Sequence, residues 1–309
     1  MLHLLPSLGC IKSYIVINAP LAALGYFVHT ALRVSPSVAS DENAFVTIIL
    51  NTVIFCLKNF ILLFGIGHLT RNRPDIIERN LSADANDSND SISNWDLVIR
   101  SVVSFTILET LTYKFARAFG LIVYRVSSNQ STAFGSTQSF FLFFGSFIVH
   151  SFCVEVIFDF FHYWSHRFLH EKPALYRSLH SLHHHNANPT VYHTFNDTIL
   201  GTLFTNTVPH LLALTIFMTL FGRPILHLEH SLLLVYKTFV EVSGHSGKEL
   251  GKASSFPQFK WLPVWLGIEL YTFDHHSHHR NAKKNFSKRF VLWDKVFGTY
   301  LCIATSKKV

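Results

Sequence analysis

Residues 140–170 read "FFLFFGSFIVHSFCVEVIFDFFHYWSHRFLH". The part up to Phe161 is apolar over enough length to cross a bilayer, which takes about 20 residues. It then runs into three histidines at four-residue spacing, His162, His166 and His170. Four residues is a little over one helical turn, so the three imidazoles share one face. A lone row of this kind beside a membrane is ordinarily an interfacial polar surface, because histidine tolerates half-buried positions. Its meaning here depends on the rest of the chain.

The 309-residue chain is apolar at 49% of its positions and charged at 15%, which points to a membrane protein rather than two soluble domains. Six stretches have the length and composition to be weighed as membrane helices: 14–33, 45–67, 97–124, 140–161, 199–221 and 225–242. The third carries Arg100, Glu109, Lys114 and Arg117, and the sixth carries His227, Glu229, His230 and Lys237. In the third such charges mean an interfacial helix or one facing a polar bundle interior, while the sixth, entered through the tight turn at Gly222 to Pro224, makes with the fifth a hairpin that either spans or only dips in. Cys10, Cys56, Cys153 and Cys302 are far apart and make neither a disulfide framework nor a zinc-finger pattern. The N-terminus lacks a signal-peptide pattern, so Met1 onward is read as mature protein.

With all six stretches crossing, Lys12, Arg71, Arg73, Arg79, the histidine-bearing segments and the basic C-terminal region fall on one side, while 34–44 and 126–139 contain no Lys or Arg. The positive-inside rule makes the first side cytoplasmic. The polar loop 84–96 falls there too, and the sequon at Asn129 faces a lumen. The expected division is a membrane region at 1–139, a histidine-bearing region at 140–303 and a short basic tail at 304–309.

Sixteen of the 20 histidines lie between His162 and His279. "HYWSH" gives His162 and His166, "HSLHH" gives His180, His183 and His184, "GHSG" holds His245, and "HHSHH" gives His275, His278 and His279. On a helix, positions i, i+3 and i+4 project to one side. Buried imidazoles without partners are costly, and a structural role has no reason to repeat one spacing, so the clusters read as metal ligands. His150, His193, His210, His227 and His230 read instead mostly as interfacial polar residues with no ligand role, and His185 and His276 as bystanders. Imidazole suits zinc, copper, iron and nickel. The zinc peptidase pattern HExxH is absent, since "HEKPA" at His170 lacks the second histidine, and so are paired Glu-x-x-His motifs. Eight clustered imidazoles are too many for one tetrahedral zinc, which leaves a dinuclear, histidine-rich centre.

"DFFHYWSHRFLH", "LYRSLHSLHHHN", "GHSG" and "DHHSHHRNAKKNFSKRFVLWDKVFGTY" together resemble the fatty acid hydroxylase and sterol desaturase superfamily of membrane-bound non-haem di-iron oxygenases. The resemblance covers 140–300, and the tail with Asn285, Phe286, Trp293, Asp294 and Gly298 is most like sterol-acting members. It implies an all-α, multi-pass membrane bundle with a cytosolic, histidine-rich helical cap holding two iron ions. By residue match, His162, His166, His180, His183, His184, His275, His278 and His279 would be iron ligands, with His245 completing the site. Asp159, His170 and Asp274 would support them, Asp159 by holding an imidazole in its tautomer. Sterol members commonly carry HPxE where this chain has "PTVYHTFND", so the match gives His193 and Asp197 no role.

The resemblance also implies dioxygen as oxidant, a lipid substrate, residence in the endoplasmic reticulum membrane, and electrons from a separate cytochrome b5 fed by an NAD(P)H reductase, because no fused b5 haem motif is present. No nucleic-acid partner is expected. Sterol 4-methyl oxidases and sterol hydroxylases are the nearest activities, with fatty acid or sphingoid hydroxylases and sterol 5-desaturases as alternatives. A metal-binding or metal-transporting membrane protein is the non-enzyme alternative. A transporter would carry its ligands near the membrane midplane, whereas these boxes sit outside the long apolar runs.

Overall fold

The computed structural model describes residues 8–34, 44–76, 95–124, 137–250 and 254–301. The sequons, most of the polar loop and the basic tail lie outside the described residues. Four helices are long and apolar enough to cross a membrane: α1 (Leu8–Val34), α2 (Ala44–Thr70), α4 (Thr137–Glu171) and α5 (Ile199–Phe221). The two charged stretches are helical as well, as α3 (Trp95–Ala118) and α6 (His227–Gly244). Two short strands, Ile122–Val123 and Ile225–Leu226, pair in parallel beside the start of α6. The multi-pass, all-α bundle expected from the sequence is therefore the architecture observed.

α6 explains why a helix with His, Glu and Lys among its apolar residues belongs in this fold. Fifteen of its eighteen residues are buried, so it is the central strut rather than a lipid-facing span. It packs on α1, α2 and α4. α1 approaches it so closely that a Cβ on Gly25 would stand 2.6 Å from a Leu232 methyl. Several polar groups inside the bundle are paired across helices, where a bilayer offers no water. Tyr236 donates to Asn18 (2.7 Å). Lys58, the charge that the second apolar stretch has to accommodate, is fully buried and pairs with Glu109 of α3 while donating to Thr238 of α6 (3.1 Å).

α4 extends beyond its apolar run to Glu171, and short segments follow that carry the second histidine cluster: a π-helical turn at Tyr176–His180 and a 3-10 turn at His183–His185. α5 contains a π-helical stretch at Leu203–Thr207. Such stretches release carbonyls from the α-helical ladder and are frequent at functional sites. α7 (Thr272–Arg280) brings the third cluster back over the end of α4 and α6.

Candidate metal centre

The imidazoles are arranged by their carbonyl partners. A carbonyl oxygen only accepts, so a ring nitrogen that contacts one carries the proton, and in neutral imidazole the other nitrogen keeps its lone pair. Nδ1 donates to a backbone carbonyl in His162 (Thr205, 2.7 Å), His166 (Phe286, 2.8 Å), His183 (Asn196, 3.2 Å), His245 (Glu241, 2.8 Å) and His278 (Lys284, 2.7 Å). Each therefore presents a bare Nε2.

Those lone pairs face one another. The Nε2 atoms of His166 and His278 are 3.1 Å apart, and those of His183 and His245 are 3.4 Å apart. With both Nδ1 atoms protonated, neither pair has a hydrogen to share, so the contact is repulsive unless a cation lies between them. Protonation is not the remedy, because burial pushes His278 and His245 down to about 4 against the carbonyl bonds that favour their charged forms. Burial also drives His180, His183, His275 and His279 well below the usual imidazole range. Both ring nitrogens of His180, His184 and His279 are buried with no hydrogen-bond partner among the described residues. Orphaned, neutral, converging imidazoles are a donor set that fits metal ions.

The donors sort into two groups. His166, His170, His180, His184 and His278 form one, and His183, His245, His275 and His279 the other, with ligand atoms within 4.8 Å of one another in each. Of the residues expected to ligate, eight fall in these groups. His162 stands outside them, its ring 5.0 Å from that of His166, on the wall of an adjoining cavity. His170, expected as a supporting neighbour, is a member of the five-histidine group, its Nε2 3.1 Å from that of His166.

The supporting carboxylates act on backbone. Asp159 accepts from the N–H groups of Lys288 (2.7 Å), Arg289 (2.9 Å) and Phe290 (3.0 Å). Asp294 accepts from Phe286 (2.9 Å) and Ser287 (2.8 Å) in the same loop. Together they fix the strand of chain whose Phe286 carbonyl orients His166. Asp274 accepts from the Tyr271 N–H (2.9 Å) and so closes the first turn of α7. Glu241 has no signal in the histidine boxes, yet its carbonyl orients His245 and its carboxylate binds Arg289 (2.8 Å) and Lys288 (3.5 Å). Lys288 and Arg289, in the basic run that follows the third histidine cluster, are thus turned inward on Glu241, and Arg280 and Lys283 stay exposed.

Asp197 lies 3.8 Å from His180 Nδ1 and accepts from the Thr198 N–H (2.8 Å). Gly201 is pressed against this wall, where a Cβ would come within 2.3 Å of the Leu179 carbonyl and 2.4 Å of Asp197. The Gly201→Ala variant is expected to lose about 1–3 kcal/mol of stability by overpacking, measured by thermal denaturation in detergent; an unchanged midpoint would show that the wall yields.

Comparison with known proteins agrees with this chemistry. Residues 151–299 match the fatty acid hydroxylase family. Over 154 residues the chain is 32% identical to the fatty acid hydroxylase vlmA of Lecanicillium sp, covering 47% of this chain and 40% of that protein. It is 34% identical over 151 residues to the methylsterol monooxygenase erg25A of Aspergillus fumigatus (46% and 43%). It is 31% identical over 153 residues to the very-long-chain aldehyde decarbonylase GL1-8 of Oryza sativa (47% and 49%). The chain thus spans less than half the length of these relatives. No solved structure matches.

Proposed function

We propose, on the premise that residues 151–299 form a fatty acid hydroxylase domain, that the chain is a membrane-bound di-iron oxygenase that uses dioxygen to hydroxylate or desaturate a lipid, most closely a sterol. The observation that carries this reading is the pair of facing Nε2 lone pairs, His166 with His278 and His183 with His245, beside a buried cavity. The five-histidine and four-histidine groups would each hold one iron ion. Iron held there would supply the activation of dioxygen needed to attack an unactivated C–H bond.

The chain's own residues do the rest. The carbonyls of Phe286, Lys284, Asn196 and Glu241 lock the imidazoles in one tautomer and one orientation. Asp159 and Asp294 hold the loop that supplies the first of these carbonyls. Phe105 and Phe195 line the cavity together with His162, His166 and His180 and would help keep water from the reacting carbon. A substrate dissolved in the bilayer reaches this cavity from the helices below. We further place the histidines on the cytosolic side of the endoplasmic reticulum membrane, with cytochrome b5 and an NAD(P)H reductase as electron source, by analogy with the superfamily.

The test is turnover of the purified chain with cytochrome b5, its reductase and NAD(P)H under isotopically heavy dioxygen, with lipid extracts read by mass spectrometry. One labelled oxygen in a lipid alcohol identifies hydroxylation, and loss of two hydrogens without label identifies desaturation. Neither product from iron-loaded protein over a panel of sterols, fatty acids and sphingoid lipids would refute the oxygenase reading and favour metal binding alone.

A further inference from the structure

Lys237 lies midway along α6, and the metal chemistry makes no use of it. Its ammonium rests over the face of Phe158, 4.1 Å from the ring centre. The two carboxylates that act on it, Glu241 and Glu109, are engaged elsewhere: Arg289 and Lys288 hold Glu241, and Lys58 holds Glu109. Among the described residues nothing accepts a hydrogen bond from Lys237. Burial pulls its pKa down to about 7 against those carboxylates, so holding the charge inside the bundle calls for an acceptor.

That ammonium lines a pocket between α3, α5 and α6, with Phe105, Leu108, Thr207, His210 and Leu234. Phe105, Thr202, Asn206 and Glu241 border both this pocket and the chamber against His162, His166, His180 and His183, so the two spaces form one seam. The helices run along it in register. On α6, Lys237, Glu241 and His245 follow at four-residue steps, and on α5, Thr202, Asn206 and His210 do the same. Eight residues of α-helix from Lys237 to His245 span roughly 12 Å. A seam with largely apolar walls, carrying the Lys237 ammonium on one wall and opening on the histidine groups at its outer end, suits an amphiphile with a polar terminus.

We infer that Lys237 binds the polar terminus of the lipid. A hydroxyl or carboxylate oxygen accepts from the ammonium, the hydrocarbon lies along the seam, and the carbon brought to the histidine groups is roughly 12 Å from that oxygen. Oxidation then falls on a carbon remote from the polar group and not on its immediate neighbour. This inference rests on the lipid oxygenase reading and adds to it the orientation of the substrate.

The experiment is equilibrium binding of four radiolabelled probes to the full chain in detergent: cholesterol against cholestane, and octadecanoate against octadecane. Each pair shares a hydrocarbon frame and differs at the polar end. Wild type is expected to prefer the oxygenated member of one pair by about tenfold or more, the size of one hydrogen bond to a charged group. The cholesterol pair would assign a hydroxyl, and the octadecanoate pair a carboxylate. Lys237→Met should reduce that preference to about twofold or less while iron content stays at the wild-type level. If the variant loses iron, Lys237→Gln is read in its place. No preference in wild type for either pair, or a preference that survives in the variant, overturns the assignment. Failure of the oxygenase reading looks different: no dioxygen-dependent product forms, while the polar-end preference and its dependence on Lys237 persist.

Discussion

The His183→Ala variant is expected to hold about one iron per chain where wild type holds about two, with lipid oxidation reduced more than ~100-fold. His183 belongs to the four-histidine group with His245, His275 and His279. Its Nδ1 is committed to the Asn196 carbonyl, and its Nε2 meets that of His245. Alanine removes one of four donors and leaves a buried void where a lone pair had converged. The adjacent His184 is already a member of the five-histidine group. That second group loses nothing, so one ion should remain. Metal analysis of the purified variant, together with mass spectrometry of its lipid products, decides the matter. Two irons retained would mean that the groups are not independent sites.

Asp159→Ala should be the most destabilising single change near the centre, by about 3–5 kcal/mol. The carboxylate is fully buried and accepts three backbone N–H groups in sequence, from Lys288 to Phe290. Removing it strands all three donors away from water, at about 1–3 kcal/mol each before relaxation. The loop it holds carries the Phe286 carbonyl, so His166 should lose its orientation as well and iron content should fall with stability. Asp159→Asn keeps one acceptor oxygen and is expected to be intermediate. Thermal denaturation in detergent, alongside metal analysis, tests both variants. An Asp159→Ala midpoint within about two degrees of wild type would show that the loop stands without its clamp.

Much of this protein is written in local pattern. The apolar runs identify α1, α2, α4 and α5 because a bilayer demands about 20 apolar residues and a self-satisfied backbone. The clustered histidines declare a metal-binding region because no other economy explains so many imidazoles at repeated spacing. The charges in the third and sixth stretches also signalled something, but their meaning depended on partners. Glu109 and Lys58 are 51 positions apart in the chain, and only the packing of α3 on α2 brings them together. α6, weighed from its sequence as one of six possible spans, is the buried core of the bundle, since burial depends on what surrounds a helix and not on its own sequence.

The division of labour among the histidines was beyond sequence for the same reason. His183 and His184 are adjacent, yet they serve different groups, because the 3-10 turn at His183–His185 winds three residues per turn and sends successive side chains about a third of a circle apart. His275 and His279, one α-helical turn apart, share a group, while His278 between them turns to the other. His170 converges with His166, as their shared helix face allows, where the family match had given it only a supporting place. The acceptors that set each tautomer are main-chain carbonyls, which every residue has and no sequence can flag. The residue types and their spacing thus determined that this chain folds as a membrane helical bundle and gathers imidazoles at one end. Which imidazole faces which was decided by tertiary structure, because lone pairs converge only when separate helices fix the carbonyls behind them.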